Sequence, residues 1–147
     1  MEIVEMTLKD YEDIKDILID EFDDFWRPSI LESELKSENS KYIVAKENGE
    51  IVGFAGLWFS PIDAEITNIV TKKTERKRGI GTLLLGKLIE MAKEEKKDNI
   101  SLEVNENNVA AGILYESAGF EVVGIRKNYY NGKDNAIIMT KYFQKNV

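Results

Sequence analysis

The chain of 147 residues has a formal net charge of −7, is 43% hydrophobic and 32% charged, and contains neither cysteine nor histidine. Those figures fit one folded domain with its own core, and they exclude disulfides, thiol nucleophiles, imidazole chemistry and most zinc sites. Acid–base work therefore falls to carboxylates, Tyr or Lys, and the acidic balance argues against general nucleic-acid binding while fitting either a charge that simply keeps the chain in solution or a cationic peptide partner.

The acidic start Met1-Glu2-Ile3-Val4-Glu5 is unlike a secretory leader, and no apolar run approaches the roughly 18 residues that cross a membrane, so a cytoplasmic protein is expected. Ile3, Val4, Glu5 and Met6 read as a short strand. Thr7 or Asp10 can cap the helix that follows, which gathers Tyr11, Ile14, Ile17, Leu18 and Phe22 on one side. Ser29 and Glu32 have capping-box spacing, predicting a second short helix to about Ser37. Phe22, Phe25 and Trp26, between the two helices, are core plugs or a substrate wall.

Segments 41–46 and 51–59 are strand-like and flank Asn48-Gly49, the strongest short hairpin signal. Segment 64–71 completes an antiparallel meander after the turn at Ser60-Pro61-Ile62-Asp63. An amphipathic helix is predicted over about 80–96, then a strand at 100–104, a helix over about 108–118 closed by Gly119, and strands at 120–125 and 135–142. Strand, two helices, three strands, helix, strand, helix and two strands make an α+β domain over residues 1–147, with seven strands and about four helices.

The sequence Arg76-Lys77-Arg78-Gly79-Ile80-Gly81 joins an apolar strand to the long helix. Such a turn offers free amides and a positive helix end to an anion, and its three cations point to a ligand carrying phosphate. Read alone it is also compatible with a plain turn bearing solvated cations. A second phosphate motif is excluded. Gly81 to Lys87 matches the first seven places of a P-loop, but the eighth is Leu88 instead of Ser or Thr, and Leu83, Leu84, Leu85, Leu88, Ile89 and Ala92 repeat as a buried helix face.

With Arg76, Gly79 and Gly81 in the defined places, this turn resembles the pyrophosphate signature of the GNAT superfamily of N-acetyltransferases. The resemblance extends over nearly the whole chain. It is carried by Gly53-Phe54-Ala55-Gly56-Leu57-Trp58, Ile66-Thr67-Asn68-Ile69-Val70, Leu102-Glu103-Val104 and Asn108 with Leu114-Tyr115-Glu116-Ser117-Ala118-Gly119-Phe120. Arg126-Lys127-Asn128-Tyr129-Tyr130 with Ala136-Ile137-Ile138-Met139 looks like the substrate region of the ribosomal-protein alanine acetyltransferases of the RimI type.

What the resemblance implies is the mixed seven-stranded GNAT fold and acetyl transfer from acetyl-CoA to an amine, by direct attack in a ternary complex and without a metal. The backbone of Ile69, Val70 and Thr71 is expected to pair with the pantetheine arm, and Arg76, Lys77, Arg78, Gly79, Ile80, Gly81 and Thr82 to hold the pyrophosphate. Asn108 is expected near the reactive end of the cofactor. Glu103 would be the general base and Tyr115 the general acid. Read alone, Glu103 is an exposed strand carboxylate, opposite in facing to Leu102 and Val104, and Tyr115 an amphipathic helix residue. Tyr129 and Tyr130 would wall the channel for a peptide N-terminus, with Trp26 on its other side.

An N-terminal amine, with a free pKa near 7.7–8.0, is easier to deprotonate than a lysine at about 10.4, though desolvation can depress the latter. The acceptor that the resemblance to the RimI type implies is the N-terminal amine of a ribosomal protein beginning with alanine; the alternatives are a small-molecule amine or a CoA-binding regulatory module without turnover. Asp134-Asn135 and Asn105 depart from the pattern of the RimI type, which has an acidic pair and a cation there, and these departures bear on the acceptor. The sequence does not fix an oligomeric state.

Overall fold

Among the described residues, seven strands and five helices succeed one another: β1 (Glu2–Glu5), α1 (Leu8–Ile14), α2 (Leu18–Glu21), α3 (Pro28–Leu35), β2 (Ser40–Glu47), β3 (Glu50–Phe59), β4 (Asp63–Thr71), α4 (Ile80–Glu94), β5 (Asn99–Asn105), α5 (Val109–Ser117), β6 (Glu121–Tyr130) and β7 (Asp134–Tyr142). A 3-10 turn at Lys73–Glu75 links β4 to α4. This computed structural model describes residues 1–22 and 28–143.

Local chemistry sets the elements. Thr7 caps α1 by accepting from the Asp10 amide, and Asp10 reciprocates from position N3 to the Thr7 amide at 2.9 Å. The expected first helix is divided, since α1 ends at Ile14 and α2 starts at Leu18 after a turn through Ile17, which gives five helices where about four were expected. Its apolar face survives the break: Tyr11, Ile14, Leu18 and Phe22 are all buried in one cluster. Ser29 does not act as a cap, because α3 already begins at Pro28, whose fixed φ and missing amide hydrogen suit a first helical position. Asn48 and Gly49, at φ 53° and 79°, and Asn131 and Gly132, at 54° and 66°, take the left-handed pair of conformations that a tight hairpin requires. The last hairpin is longer than expected, with β6 running on to Tyr130, so Tyr129 and Tyr130 belong to the strand itself.

The strands form one sheet in the order β1-β2-β3-β4-β5-β7-β6. All neighbours are antiparallel except β4 and β5, which run parallel and pair only at Asp63–Asn99, Ala64–Ile100 and Glu65–Ser101. Beyond Glu65 the two strands share no further described pair, so the sheet opens between them.

Each face of the sheet carries a core. On one, α4 buries Ile80, Leu84, Leu85, Leu88 and Ala92 against Leu57, Ala64, Ile66, Ile100 and Leu102. On the other, α1, α2 and α3 cover Tyr42, Val44, Phe54 and Val70.

The β3–β4 ladder slips at Gly56, leaving Thr67 as the extra residue of a bulge opposite Gly56 and Leu57. Tyr42 holds that bulge from below. Its ring lies where a Cβ on Gly56 would stand, and its hydroxyl meets Thr67 Oγ1 at 3.0 Å, accepts from Asn68 Nδ2 at 2.9 Å and donates to Glu34 on α3. Burial first, and then the bond to the Glu34 carboxylate, push the Tyr42 phenol above its ordinary range.

Two glycine substitutions test this packing in opposite directions. Gly56→Ala is expected to lower stability by about 1–3 kcal/mol, the usual cost of forcing extra volume into a filled core. Gly86→Ala, on the solvent side of α4 with open space at its Cβ, is expected to raise it by up to about 1 kcal/mol. Urea unfolding of both variants checks the pair.

Candidate functional site

The opening between β4 and β5 is bordered at one end by a cleft of about 390 Å³. Thr71 at the end of β4, Glu75, Arg76 and Lys77 of the link, and Gly79, Ile80, Gly81 and Thr82 at the start of α4 form one wall, while Ala110, Ala111 and Leu114 of α5 form the other. Seven of the eleven residues expected to hold the cofactor thus line one cavity.

The sequence explains the shape of this end. Lys77 and Gly79 adopt positive φ of 64° and 78°, folding the link tightly onto α4. Gly79 is the N-cap and supplies no side-chain oxygen, so no side chain caps the first-turn amides of α4. Those amides and the positive end of a fifteen-residue helix are left to an outside acceptor. Gly81 faces Leu114, 4.0 Å from where its Cβ would be, so the glycine leaves the cleft width to the backbone.

Four of the expected cofactor residues lie elsewhere. The Arg78 side chain pairs with Glu47 at 2.6 Å and with Glu75, tying the link back to the β2–β3 hairpin. Its guanidinium therefore braces the loop from outside the cleft. Val70 is buried toward α1–α3 and Ile69 is half-buried, so what they offer is their main chain on the β4 edge that β5 has left. Asn108 caps α5, its Oδ1 accepting from the Ala111 amide at 3.2 Å. Trp26 lies outside the described residues.

Past the opening stand the side chains expected to do chemistry. Glu103 lies on β5 two residues beyond Ser101, on the same strand face. Its side chain is 18% exposed, and Oε1 forms an ion pair with Arg126 Nε at 2.9 Å. Tyr115 follows the cleft residue Leu114 on α5 and packs against Phe120 with ring centroids 5.9 Å apart. Burial raises the Tyr115 phenol above its ordinary range, with a smaller push from Tyr130. Tyr130 is raised by burial as well, then by the charge of Glu103 and by Tyr129. Tyr129 and Tyr130 meet edge to face at 5.1 Å. The structure therefore brings Glu103, Tyr115, Tyr129 and Tyr130 into one electrostatic neighbourhood.

Two members of that neighbourhood had no role assigned from sequence. Glu65 sits on β4 at the last parallel pair, and its carboxyl is raised by partial desolvation and then by Glu103, with Arg126 opposing. Arg126 was legible only as part of a motif. Both become neighbours of Glu103 through long-range register. Alternation along 64–66 does show Glu65 facing away from buried Ala64 and Ile66, but nothing local points it at β5.

The profile of the acetyltransferase (GNAT) family matches residues 11–120. The chain belongs to that family. Among its relatives, the [ribosomal protein bS18]-alanine N-acetyltransferase of Haemophilus influenzae is 41% identical over 72% of this chain and 76% of its own. The crystal structure of the ribosomal-protein-S18-alanine N-acetyltransferase from Escherichia coli superposes with a TM-score of 0.89 at 28% identity, covering 99% of this chain and 96% of that one. A Bacillus anthracis acetyltransferase solved in complex with acetyl coenzyme A matches at a TM-score of 0.68 and 30% identity, over 77% of this chain and 68% of its own. This GNAT chain is accordingly an acetyl-CoA-dependent N-acetyltransferase of the RimI-like kind.

The two departures from the RimI-type pattern have definite places in this GNAT sheet. Asn105 donates to Asp134 at 3.3 Å and accepts from the Asn107 amide at 2.9 Å, while Asn135 accepts from the Asn128 amide at 2.9 Å. Both asparagines fasten the strand ends around the aromatic pair.

Gly79→Val is expected to weaken acetyl-CoA binding at least tenfold, because a β-branched residue resists positive φ and its side chain crowds the amides. Isothermal titration calorimetry checks this, with Gly86→Ala expected to bind as the parent does.

Proposed function

We propose that this enzyme acetylates the N-terminal amine of a ribosomal protein, with alanine as the acceptor residue, and that residues 1–147 form one N-acetyltransferase domain working in the cytoplasm. The single observation that carries the reading is the joining of an uncapped, cation-flanked helix start to a strand opening that ends at Glu103 and Tyr115. The names of the relatives supply the acceptor class.

The cleft chemistry fits coenzyme A. Amides at the start of α4, with Arg76 and Lys77, suit a pyrophosphate, and the unpaired edge of Ile69, Val70 and Thr71 suits the amides of a pantetheine arm in the manner of an added strand. Asn108 retains its side-chain amide donors after capping α5. When bound, the thioester supplies the acyl group that the amine attacks. Glu103 takes a proton from the acceptor ammonium, directly or through water, and Tyr115 gives one to the departing thiolate. No residue available here carries an acetyl group in the way a cysteine does, which agrees with direct transfer.

A raised phenol pKa suits the acid. Because burial holds Tyr115 above the ordinary value near 10, it stays protonated through the neutral and mildly alkaline range, and the rate should lose nothing from this group until the pH exceeds about 10. Tyr129 and Tyr130 wall the acceptor side, and Trp26 is proposed to complete it.

Peptides beginning with alanine, offered with labelled acetyl-CoA, should accept label at their termini; labelling confined to small amines, or none at all, would overturn the reading. Glu103→Gln is expected to lower the rate most near pH 6 and least above about pH 8.5, where an N-terminal amine of pKa about 7.7–8.0 is already neutral. Tyr115→Phe is expected to lower kcat without changing acetyl-CoA affinity. Steady-state kinetics across that pH range read both.

A further inference from the structure

The base step needs Glu103 to meet a cation, and in this structure one already sits there. The Arg126 guanidinium is paired to Glu103 at 2.9 Å, with the arginine side chain 56% exposed and the carboxylate 18% exposed. It also lies over the ring of Tyr129 at 5.4 Å, and Tyr129 is itself half-exposed. We propose that Arg126 is an exchangeable occupant of the seat that the acceptor's ammonium takes on Glu103, so that acceptor binding is an exchange of one cation for another. The inference rests on the acetyl-transfer reading and adds a determinant of acceptor selectivity to it.

Charge and geometry support the exchange. The charge of Glu103 adds to the desolvation that raises the Glu65 carboxyl, and Arg126 opposes that rise. Tyr130 also feels the charge of Glu103. Withdrawing the guanidinium without replacement would leave Glu103 without the cation it is paired to, whereas an incoming ammonium restores the balance. A neutral acceptor would not, so the seat selects acceptors that arrive charged and are deprotonated in place.

The pair is also built to part. Ion pairs with an exposed partner are weak, so the guanidinium yields to a better-placed cation. Arg126 occupies the last regular β6–β7 pair, opposite Ala136, before the ladder becomes irregular up to Tyr130. Asn128, inside that irregular stretch, has φ of 54°. The Tyr129 ring, already beneath the guanidinium, can keep hold of it by cation–π attraction once Glu103 is taken.

Arg126→Gln and Arg126→Lys, compared with the parent, test the idea. With an alanine-initiated peptide, R126Q is expected to lower the acceptor KM by roughly threefold or more, the range set by a weak ion pair, while the acetyl-CoA KM stays put. R126K, which keeps a cation on the strand, should return toward the parental KM. A raised or unchanged acceptor KM in R126Q would overturn the proposal. A second measurement needs no turnover. Methylguanidinium, titrated by NMR at constant ionic strength, should bind R126Q and neither the parent nor the double variant R126Q/E103Q; equal binding to all three would overturn it. If the parent acetylates no amine at all, the acetyl-transfer reading falls while this titration still decides what Arg126 does.

Discussion

The parting of β4 from β5 after three parallel pairs is the constraint on which the site depends. A sheet that stayed zipped would satisfy the backbone of Ile69, Val70 and Thr71 internally and offer no edge to a ligand. Because it opens, the α4 start and α5 can face each other across a cleft, and Glu103 is presented on a strand supported from its other side by β7. The opening is held by packing on both faces. The α4 core grips β4 and β5 where they still pair, at Ala64 and Ile100, while the Tyr42 network fixes the bulge farther along β4.

The absence of cysteine and histidine gives that geometry its chemical direction. With imidazole and thiolate unavailable, the titratable groups of the neighbourhood include two carboxylates and two partly buried phenols, arranged so that each electrostatic effect is felt by the next: Glu103 on Glu65 and Tyr130, and Tyr130 on Tyr115. The phenols are displaced upward and therefore remain acids. Such a set suits an acceptor whose amine gives up its proton easily, and the relatives are named as alanine N-acetyltransferases.

Much of the fold was legible in the sequence because its signals are local. The Asn48-Gly49 turn announces its hairpin, Leu84, Leu85, Leu88 and Ala92 mark the buried face of α4, and Gly79 with Gly81 marks the tight link into that helix. What stayed hidden depends on partners distant in the chain. The break between α1 and α2 leaves the apolar spacing intact and so is invisible to periodicity. Arg78 looks like a third phosphate cation until the hairpin carboxylate of Glu47 is seen beside it. Glu65 and Arg126 carry no motif of their own, and only the parallel register of β4 and the pairing of β6 with β7 bring them to Glu103. Trp26 lies outside the described residues, so its side of the channel rests on sequence.

Tyr42 and Gly56 have a consequence for how this chain can diverge. One position is empty because the other is full, and the phenol that fills the gap serves Glu34, Thr67 and Asn68 at once. A bulkier residue at 56 evicts the ring, and a smaller residue at 42 strands three polar partners beneath the sheet. Neither step is easy by itself, so the two sites are expected to drift together or not at all, a covariation that an alignment of descendants would record long before any change reached Glu103.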